Sequence, residues 1–560
     1  MVFEDKVIYQ IYPKSFYDSN NDGLGDLKGI TEKLDYLKFL GVDYIWLTPF
    51  FISPQNDNGY DIADYYNIDS RYGTMEDFEN LSREAKKRDI KIMLDMVFNH
   101  VSTEHEWFRK ALAGDRKYQD FFFFKEGEEN NPPTNWESKF GGKSWEYVPE
   151  LKMFYLHLFD KTQADLNWEN PEVKKEIYKI IDFWISKGVE GFRFDVINLI
   201  SKPEKFENDY EGDGRKFYTD GPKIHEYLKD LNKNTFGKYK DIITVGEMSS
   251  TTMENCFKYA GKNENELTMV FNFHHLKVDY KNKNKWELQP FNFLELKNLL
   301  NSWQTGMQEH NAWNALFWCN HDQPRIVSRM GDDKKYWKKS AKMLATVVHT
   351  LRGTPYIYQG EEIGMTNTYF HEIEKYRDVE TLNYYNILLN QGYTKEETMK
   401  IIMERSRDNG RTPMQWSSEK NAGFSNGTPW IDVIYNYKNI NVEKQKNDPD
   451  SILNFYRTLI SLRKKCKAIS LGTTIPLAEN HKSVYMYKRV YENQELLVIN
   501  NFYGEKTEVE LNFDTTGYTN ILSNNNNSRK LENKMKLEPY DSLIFYRENN
   551  IKLWGFLWQR

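Results

Sequence analysis

Eight short runs rich in β-branched and aromatic residues recur between residues 7 and 360, and most are separated by stretches of helical periodicity. They read "VIYQIY" (7–12), "YIWLT" (44–48), "IKIMLDMVF" (90–98), "GFRFDVI" (191–197), "IITVGE" (242–247), "LTMVFNF" (267–273), "ALFWCN" (315–320) and "TPYIYQG" (354–360). Stretches such as "LKGITEKLDYLKFLG" and "MEDFENLSREAKKRD" space their apolar residues as amphipathic helices do. A helix between successive strands forces parallel pairing, because only a long crossover returns the chain to the same end of the sheet. Eight such units predict a closed (β/α)8 TIM barrel.

Two parts of the chain break this repeat. About ninety residues separate "LDMVFNH" from "GFRFDV", far more than one crossover needs, and they include the Trp-, Pro- and Gly-rich "NPPTNWESKFGGKSWEYVPE". A small domain inserted after strand 3 is expected, over residues 101–168, with the barrel formed by 1–100 and 169–474. Beyond that the pattern becomes short alternating runs, "SVYMYKRV", "ELLVINNF", "TEVELNF" and "SLIFYR", which predict a C-terminal antiparallel β domain, a β-sandwich over 475–560. "SNNNNSRK" reads as a turn or mobile loop of that domain, and the tail "NNIKLWGFLWQR" carries two tryptophans to which no role is assigned.

With 560 residues the chain exceeds one core, which agrees with several domains. A net charge of -6 offers no electrostatic basis for binding nucleic acid or an anionic membrane. Three cysteines, Cys256, Cys319 and Cys466, make no disulfide framework, and no basic-then-apolar leader opens the chain. A cytoplasmic monomer acting on a small molecule is the expectation.

Ionisable residues cluster at the C-terminal ends of the predicted strands, where barrels of this type carry their chemistry. Asp95 precedes Asn99 and His100; Arg193 and Asp195 share strand four; Glu247 ends strand five; His321 and Asp322 follow strand seven. A lone carboxylate in an apolar strand is more often a structural ion pair. Four on one rim make that reading improbable, and a carboxylate with a carboxylic acid suits glycoside hydrolysis. Asp195 is the expected nucleophile, kept ionised by Arg193 two residues earlier on the same strand face. Glu247 is the expected general acid, with a pKa raised by burial. Asp322 would hold substrate hydroxyls and help distort the ring, and His100 and His321 would donate to hydroxyls of the same sugar.

"DMVFNH", "GFRFDVIN", "VGEMSS" and "WCNHDQPR" resemble the four signature regions of the α-amylase family of retaining α-glycosidases. "QADLNWENP" and "GTPYIYQGEEIGM" resemble its further blocks, and the likeness runs in order over roughly residues 5 to 470. It implies the same catalytic roles for Asp195, Glu247 and Asp322. It also implies first-sugar contacts at Asp57 and Tyr60 of "DNGYD", His100, Arg193, His321 and Arg407 of "SRDN", with Tyr60 stacking on the sugar and Asp57 and Arg407 closing the pocket. "NGYDIADY", "GFRFDVIN" and "RTPMQW" are similar to the oligo-1,6-glucosidase branch, and Val196 after the nucleophile resembles members that accept links other than α-1,4. "NLISKP", "GDGRKFYTDGP" and "FNFHHLKVDY" resemble the members that hydrolyse α,α-trehalose 6-phosphate, which implies a small phosphorylated disaccharide as substrate. An oligo-1,6-glucosidase acting on isomaltose-type sugars is the alternative. A barrel that binds sugar or a partner protein without catalysis is a remote one, because all three catalytic carboxylates are present.

Two loops carry further expectations. "DSNNDGLGD" places Asp18, Asn20, Asp22 and Asp26 at alternating positions around Gly23, like the first part of a calcium loop without its distant bidentate Glu. A plain Asn/Asp-Gly turn is the simpler reading. The resemblance implies a structural Ca²⁺ here, with the Leu24 carbonyl as a further ligand and no catalytic cofactor. "KVDYKNKNKW" places Lys277, Lys281, Lys283 and Lys285 after strand six. A lysine run is by default a solvated surface. The resemblance, together with its position beside the leaving-group side of Glu247, implies a phosphate site instead, with Lys285 and Lys277 first and Lys283 as alternate; His274 and His275 lie at the same strand end.

Overall fold

A computed structural model describes residues 3–525 and 527–548. Eight parallel strands form the barrel: β1 Ile8–Ile11, β2 Tyr44–Leu47, β3 Lys91–Val97, β4 Gly191–Asp195, β5 Ile243–Glu247, β6 Met269–Phe271, β7 Ala315–Leu316 and β8 Thr354–Tyr358. Pairing runs β6-β5-β4-β3-β2-β1-β8-β7, and a single parallel bridge from Val270 to Asn314 closes the ring between β6 and β7. All eight predicted runs contain a strand, but the sixth and seventh are shorter than their apolar runs. At β7 the cause is local: the Phe317 carbonyl accepts from His275 Nε2 (2.9 Å), which takes it out of ladder pairing.

The crossover helices form as their periodicity predicts. Met75–Lys87 buries Phe78, Leu81 and Ala85 on one stripe, and a capping box between Thr74 and Asp77 satisfies its first free N–H groups. "LKGITEKLDYLKFLG" forms two helices, Leu27–Glu32 and Leu34–Leu40, the second ended by Gly41 in the left-handed region.

Between β3 and β4 the chain leaves the barrel. His100–Ser102 pairs with Gln163–Asp165, and Phe124–Glu126, Met153–Leu156 and Trp145–Val148 form a three-stranded antiparallel sheet. Trp136, Trp145, Phe154, Leu156 and Leu158 make a separate cluster that packs on Val196 and Leu199, so this segment stands directly over the end of β4.

At the C-terminal end, Thr473–Leu477, Val484–Tyr491, Gln494–Asn501, Ser542–Glu548 and Thr519–Ser523 form a five-stranded antiparallel sheet in that order. Thr507–Glu510 pairs with Lys534–Leu537 in a second, two-stranded sheet. One face of the larger sheet (Val484, Met486, Leu497, Ile499) packs with Val509 and Leu537 of the smaller. The other face (Tyr485, Tyr487, Leu496, Val498) joins the core of the barrel. In "SNNNNSRK", Asn524 is buried and donates to the Lys339 and Tyr540 carbonyls, so the start of that run is anchored. The tail "NNIKLWGFLWQR" lies outside the described residues. Cys256, Cys319 and Cys466 are buried and unpaired with one another. Among the described residues no helix is long and apolar enough to cross a membrane.

Candidate active site

Arg193 lies at the centre of the barrel's C-terminal rim. Its side chain donates to Asp95 (2.7 Å), to Asp195 (2.7 Å) and to Glu247. It can reach all three because β3, β4 and β5 are adjacent, with Arg193 in register with Asp95 and with Val245. Asp195 and Glu247 are the last residues of β4 and β5, where alternation turns them into the barrel mouth. Asp95 is held from behind by the Tyr60 hydroxyl (2.8 Å) and Trp46 Nε1 (3.1 Å), so its role is to seat Arg193.

Val196, next after Asp195, takes a left-handed conformation (φ 34°). That is an outlier for a β-branched residue and stores of order 1–3 kcal/mol. The turn aims the Val196 N–H at Glu247 (3.3 Å).

The second wall comes from loops far apart in sequence. Arg411 (2.7 Å) and Arg407 (3.3 Å) hold Asp322, and Arg407 also reaches Asp57 (3.1 Å) and Asp378 (2.6 Å). Gln163 bridges Asp57 (3.1 Å) and His100 (3.2 Å), and His100 Nε2 lies 3.2 Å from the Tyr60 carbonyl. The Tyr60 ring lies parallel to His321, with centroids 5.0 Å apart, while Gln10 contacts His321 Nδ1 at 2.8 Å. Asp57, Tyr60, His100, Arg193, Asp195, Glu247, His321, Asp322 and Arg407 thus form one connected group.

Burial sets the charge state of this group. It pushes Asp195 up to about 7 and Glu247 up to about 8 against the pull of Arg193, and Asp95 up to about 6. Arg193 pulls Asp195 toward the ionised form, as expected from the sequence, but loss of water raises its pKa more. Both carboxyls are thus raised together as one pair, within which Asp195 and Glu247 are in hydrogen-bond contact. Asp57 is pushed up to about 7, again by burial. Asp322 also gives up part of its water, yet it lies well below the usual carboxylate range. Burial lowers His321 to about 3, so the imidazole is neutral near pH 7 and the two guanidiniums, Arg407 and Arg411, keep Asp322 ionised.

Beyond Glu247 a cavity of about 200 Å³ is lined by Glu247, Ser249, Lys277, Lys285, Asp322 and Arg407, among others. Lys277 and Lys285 therefore reach the cleft. Lys283 is exposed and does not line it; with Asn282 it forms a left-handed turn. Lys285 is bound to Glu380 (2.6 Å), which in turn lies 3.4 Å from Arg407. His275 is turned inward to the Phe317 carbonyl. Sequence reasoning missed Gln163, Asp378, Glu380 and Arg411 as parts of the site. Gln163 and Arg411 lie within "QADLNWENP" and "RTPMQW", so motif position could have found them; nothing local marks Asp378 or Glu380.

The "DSNNDGLGD" loop is held mainly by its own amides. Asp18 accepts from the Asn20, Asn21 and Gly23 N–H groups and from the Ser425 hydroxyl. Asp26 caps the helix Leu27–Glu32 through the Gly29 N–H (2.6 Å) and binds Ser19. Both oxygens of Asp26 accept hydrogen bonds, as do both oxygens of Asp18 and of Asp22. Among the described residues no group of three His, Cys, Asp or Glu side chains converges as a metal site. The expected ligands, the Asp18, Asn20, Asp22 and Asp26 side chains and the Leu24 carbonyl, all offer oxygen, the type a hard cation prefers.

The family described as "Alpha amylase, catalytic domain" matches residues 10–472, and "Alpha-amylase SusG C-terminal domain" matches residues 484–544. The chain is 54% identical to trehalose-6-phosphate hydrolase of Bacillus subtilis (strain 168), over 96% of this chain and 97% of that protein. It is 46% identical to oligo-1,6-glucosidase of Bacillus cereus, over 97% of this chain and 99% of that one. The crystal structure of Bacillus licheniformis trehalose-6-phosphate hydrolase superposes with a TM-score of 0.94 at 55% identity, covering 98% of this chain and 100% of that one.

Proposed function

Because the chain belongs to the alpha-amylase family and is a glycoside hydrolase, we propose that it hydrolyses α,α-trehalose 6-phosphate to glucose and glucose 6-phosphate with retention of configuration. Asp195 attacks the anomeric carbon while Glu247 protonates the bridging oxygen and releases glucose 6-phosphate. Glu247, now a carboxylate, takes a proton from water, which displaces Asp195 from the glucosyl-enzyme and frees glucose. Arg193 steadies the charge on Asp195. Asp322, held ionised by Arg407 and Arg411, binds hydroxyls of the first sugar together with Asp57, His100 and His321, and Tyr60 packs against it.

The observation that carries this reading over its alternative is the pair Lys277 and Lys285 on the same cavity wall as Glu247. A phosphate taken out of water needs cations and donors, and a neutral acceptor sugar does not. The test compares kcat/KM on trehalose 6-phosphate, trehalose and isomaltose. A preference for the phosphorylated sugar is expected; a preference for isomaltose would make the chain an oligo-1,6-glucosidase.

Three further readings belong to the proposal. A Ca²⁺ ion, structural and remote from the chemistry, would be held by Asp18, Asn20, Asp22, Asp26 and the Leu24 carbonyl. The three cysteines, buried and unpaired, fit a reducing, cytoplasmic setting. A small phosphorylated sugar is the only partner the site calls for, and the protein acts as a monomer.

A further inference from the structure

Among the described residues, Lys139 is a cation near the cleft that none of the family-like motifs contains. It belongs to the segment between β3 and β4, next to Phe140, whose ring lies under Arg407 at 4.7 Å. Its Nζ donates to Ser249 Oγ (3.2 Å) and sits 5.7 Å from the centre of the Tyr218 ring. Ser249 lines the cavity two residues after Glu247, and its backbone is fixed on both sides by Asn198: the Ser249 N–H donates to Asn198 Oδ1 (2.9 Å) and its carbonyl accepts from Asn198 Nδ2 (2.9 Å).

The balance of charge at this end of the cleft is informative. Besides Arg407, which is held by Asp57, Asp322 and Asp378, four cations gather there: Lys139, Arg215, Lys277 and Lys285. Arg215 is taken up by Asp213 through two contacts of 2.9 Å, and Lys285 by Glu380 at 2.6 Å. Among the described residues no carboxylate lies within ion-pair distance of Lys139 or Lys277, so neither ammonium has a direct counter-ion, although Asp213 and Glu247 lie near Lys139. Lys277 keeps its contact with solvent at the cleft mouth, whereas Lys139 is half-buried. A half-buried lysine without a counter-ion is unfavourable unless a ligand supplies one. Burial first, then repulsion from Arg215, lowers Lys139 to about 8, although Asp213 and more weakly Glu247 pull the other way. A phosphate monoester carries about −1.5 to −2 near pH 7, which matches two unpaired ammonium groups.

We propose that the phosphate of the leaving sugar is clamped between Lys139 of the inserted segment and Lys277 of the barrel, with Ser249 between them, so that Lys139 is a specificity-determining residue. The inference rests on the phosphorylated substrate of the preceding reading. In that arrangement Lys285 is a secondary contact, because Glu380 must release it first.

The test uses the full-length protein with Lys139→Ala and Lys139→Arg. For each, kcat and KM are measured on trehalose 6-phosphate and on p-nitrophenyl α-glucoside, and glucose 6-phosphate and glucose are compared as inhibitors of the second reaction. Lys139→Ala should lower the ratio of kcat/KM for the phosphorylated over the neutral substrate by about 10-fold or more, through KM. Inhibition by glucose 6-phosphate should weaken by a similar factor while that by glucose hardly changes, and Lys139→Arg should recover most of the ratio. Equal losses on both substrates, or unaltered inhibition by glucose 6-phosphate, would mean that Lys139 only props Ser249 and would overturn the proposal alone. A wild type that does not prefer trehalose 6-phosphate to trehalose would overturn the substrate reading, and the clamp with it.

Discussion

Burial raises Asp195 and Glu247 to different heights, about 7 and about 8, and the gap defines the active protonation state of the free enzyme. Asp195 must be ionised and Glu247 protonated. That form is lost as pH falls below the first value, because the nucleophile takes up a proton, and lost as pH rises above the second, because the acid gives its proton up. A narrow bell in kcat/KM centred between pH 7 and 8 is expected, its two limbs belonging to the coupled pair. With p-nitrophenyl α-glucoside, whose leaving group needs little protonation, Glu247→Gln should abolish the alkaline limb; its persistence would assign that limb to another group. Asp195→Asn should cut kcat by more than about 10³-fold. It should not lower Tm: an acid whose folded pKa is raised destabilises the fold once pH exceeds its unfolded value near ~3.9, so removing the charge relieves the folded state at neutral pH. Calorimetry showing a large drop in Tm would contradict this. Lys285→Ala is expected to reduce selectivity for the phosphorylated over the neutral substrate by less than the roughly 10-fold expected of Lys139→Ala, because Glu380 already holds its ammonium; comparison of the two kcat/KM values checks it.

The loop Asp18–Asp26 joins two distant parts of the chain. Ser425 donates to Asp18, the Asn426 N–H to Asn21, and the Trp430 N–H to the Gly23 carbonyl. Gly23 is required at the contact: its φ is +94°, and a Cβ there would fall 1.9 Å from the Thr428 carbonyl oxygen. If Ca²⁺ organises the loop, excess chelator should lower Tm, because a ligand of the native state alone stabilises it. An unchanged Tm together with no calcium in elemental analysis of the purified protein would leave a loop held only by its own amides.

The barrel and the C-terminal sheet share one core. Tyr485, Tyr487, Leu496 and Val498 pack into the same apolar cluster as the barrel strands and their helices. Lys297, on the barrel helix Phe293–Glu309, buries its ammonium under the sheet and donates to the carbonyls of Ala478 (3.0 Å), His481 (2.5 Å) and Val484 (3.3 Å). A junction of this kind does not open as a hinge. One cooperative thermal transition is expected for both parts, and Lys297→Met should lower stability by about 3 kcal/mol, because three carbonyls, one buried and two part-buried, lose their donor. Two separate calorimetric transitions would show that the parts fold independently.

What local order carries is legible in the amino-acid sequence alone. Strand and helix periods are properties of ten or so neighbouring residues, so the eight barrel strands and the switch to antiparallel alternation after the barrel can be read directly. The catalytic carboxylates are legible for a related reason: a strand end fixes where Asp195 and Glu247 point, whatever surrounds them. Charge compensation is different, because it depends on which side chains converge from far along the chain. Lys285 meets Glu380 from 95 residues away and Lys139 meets Ser249 from 110. Only the folded chain distinguishes a lysine already neutralised by a carboxylate from one left facing the cleft. In the same way, the depth of burial that lifts Asp195 against the pull of Arg193 is a property of everything packed around the pair, and no stretch of sequence contains it.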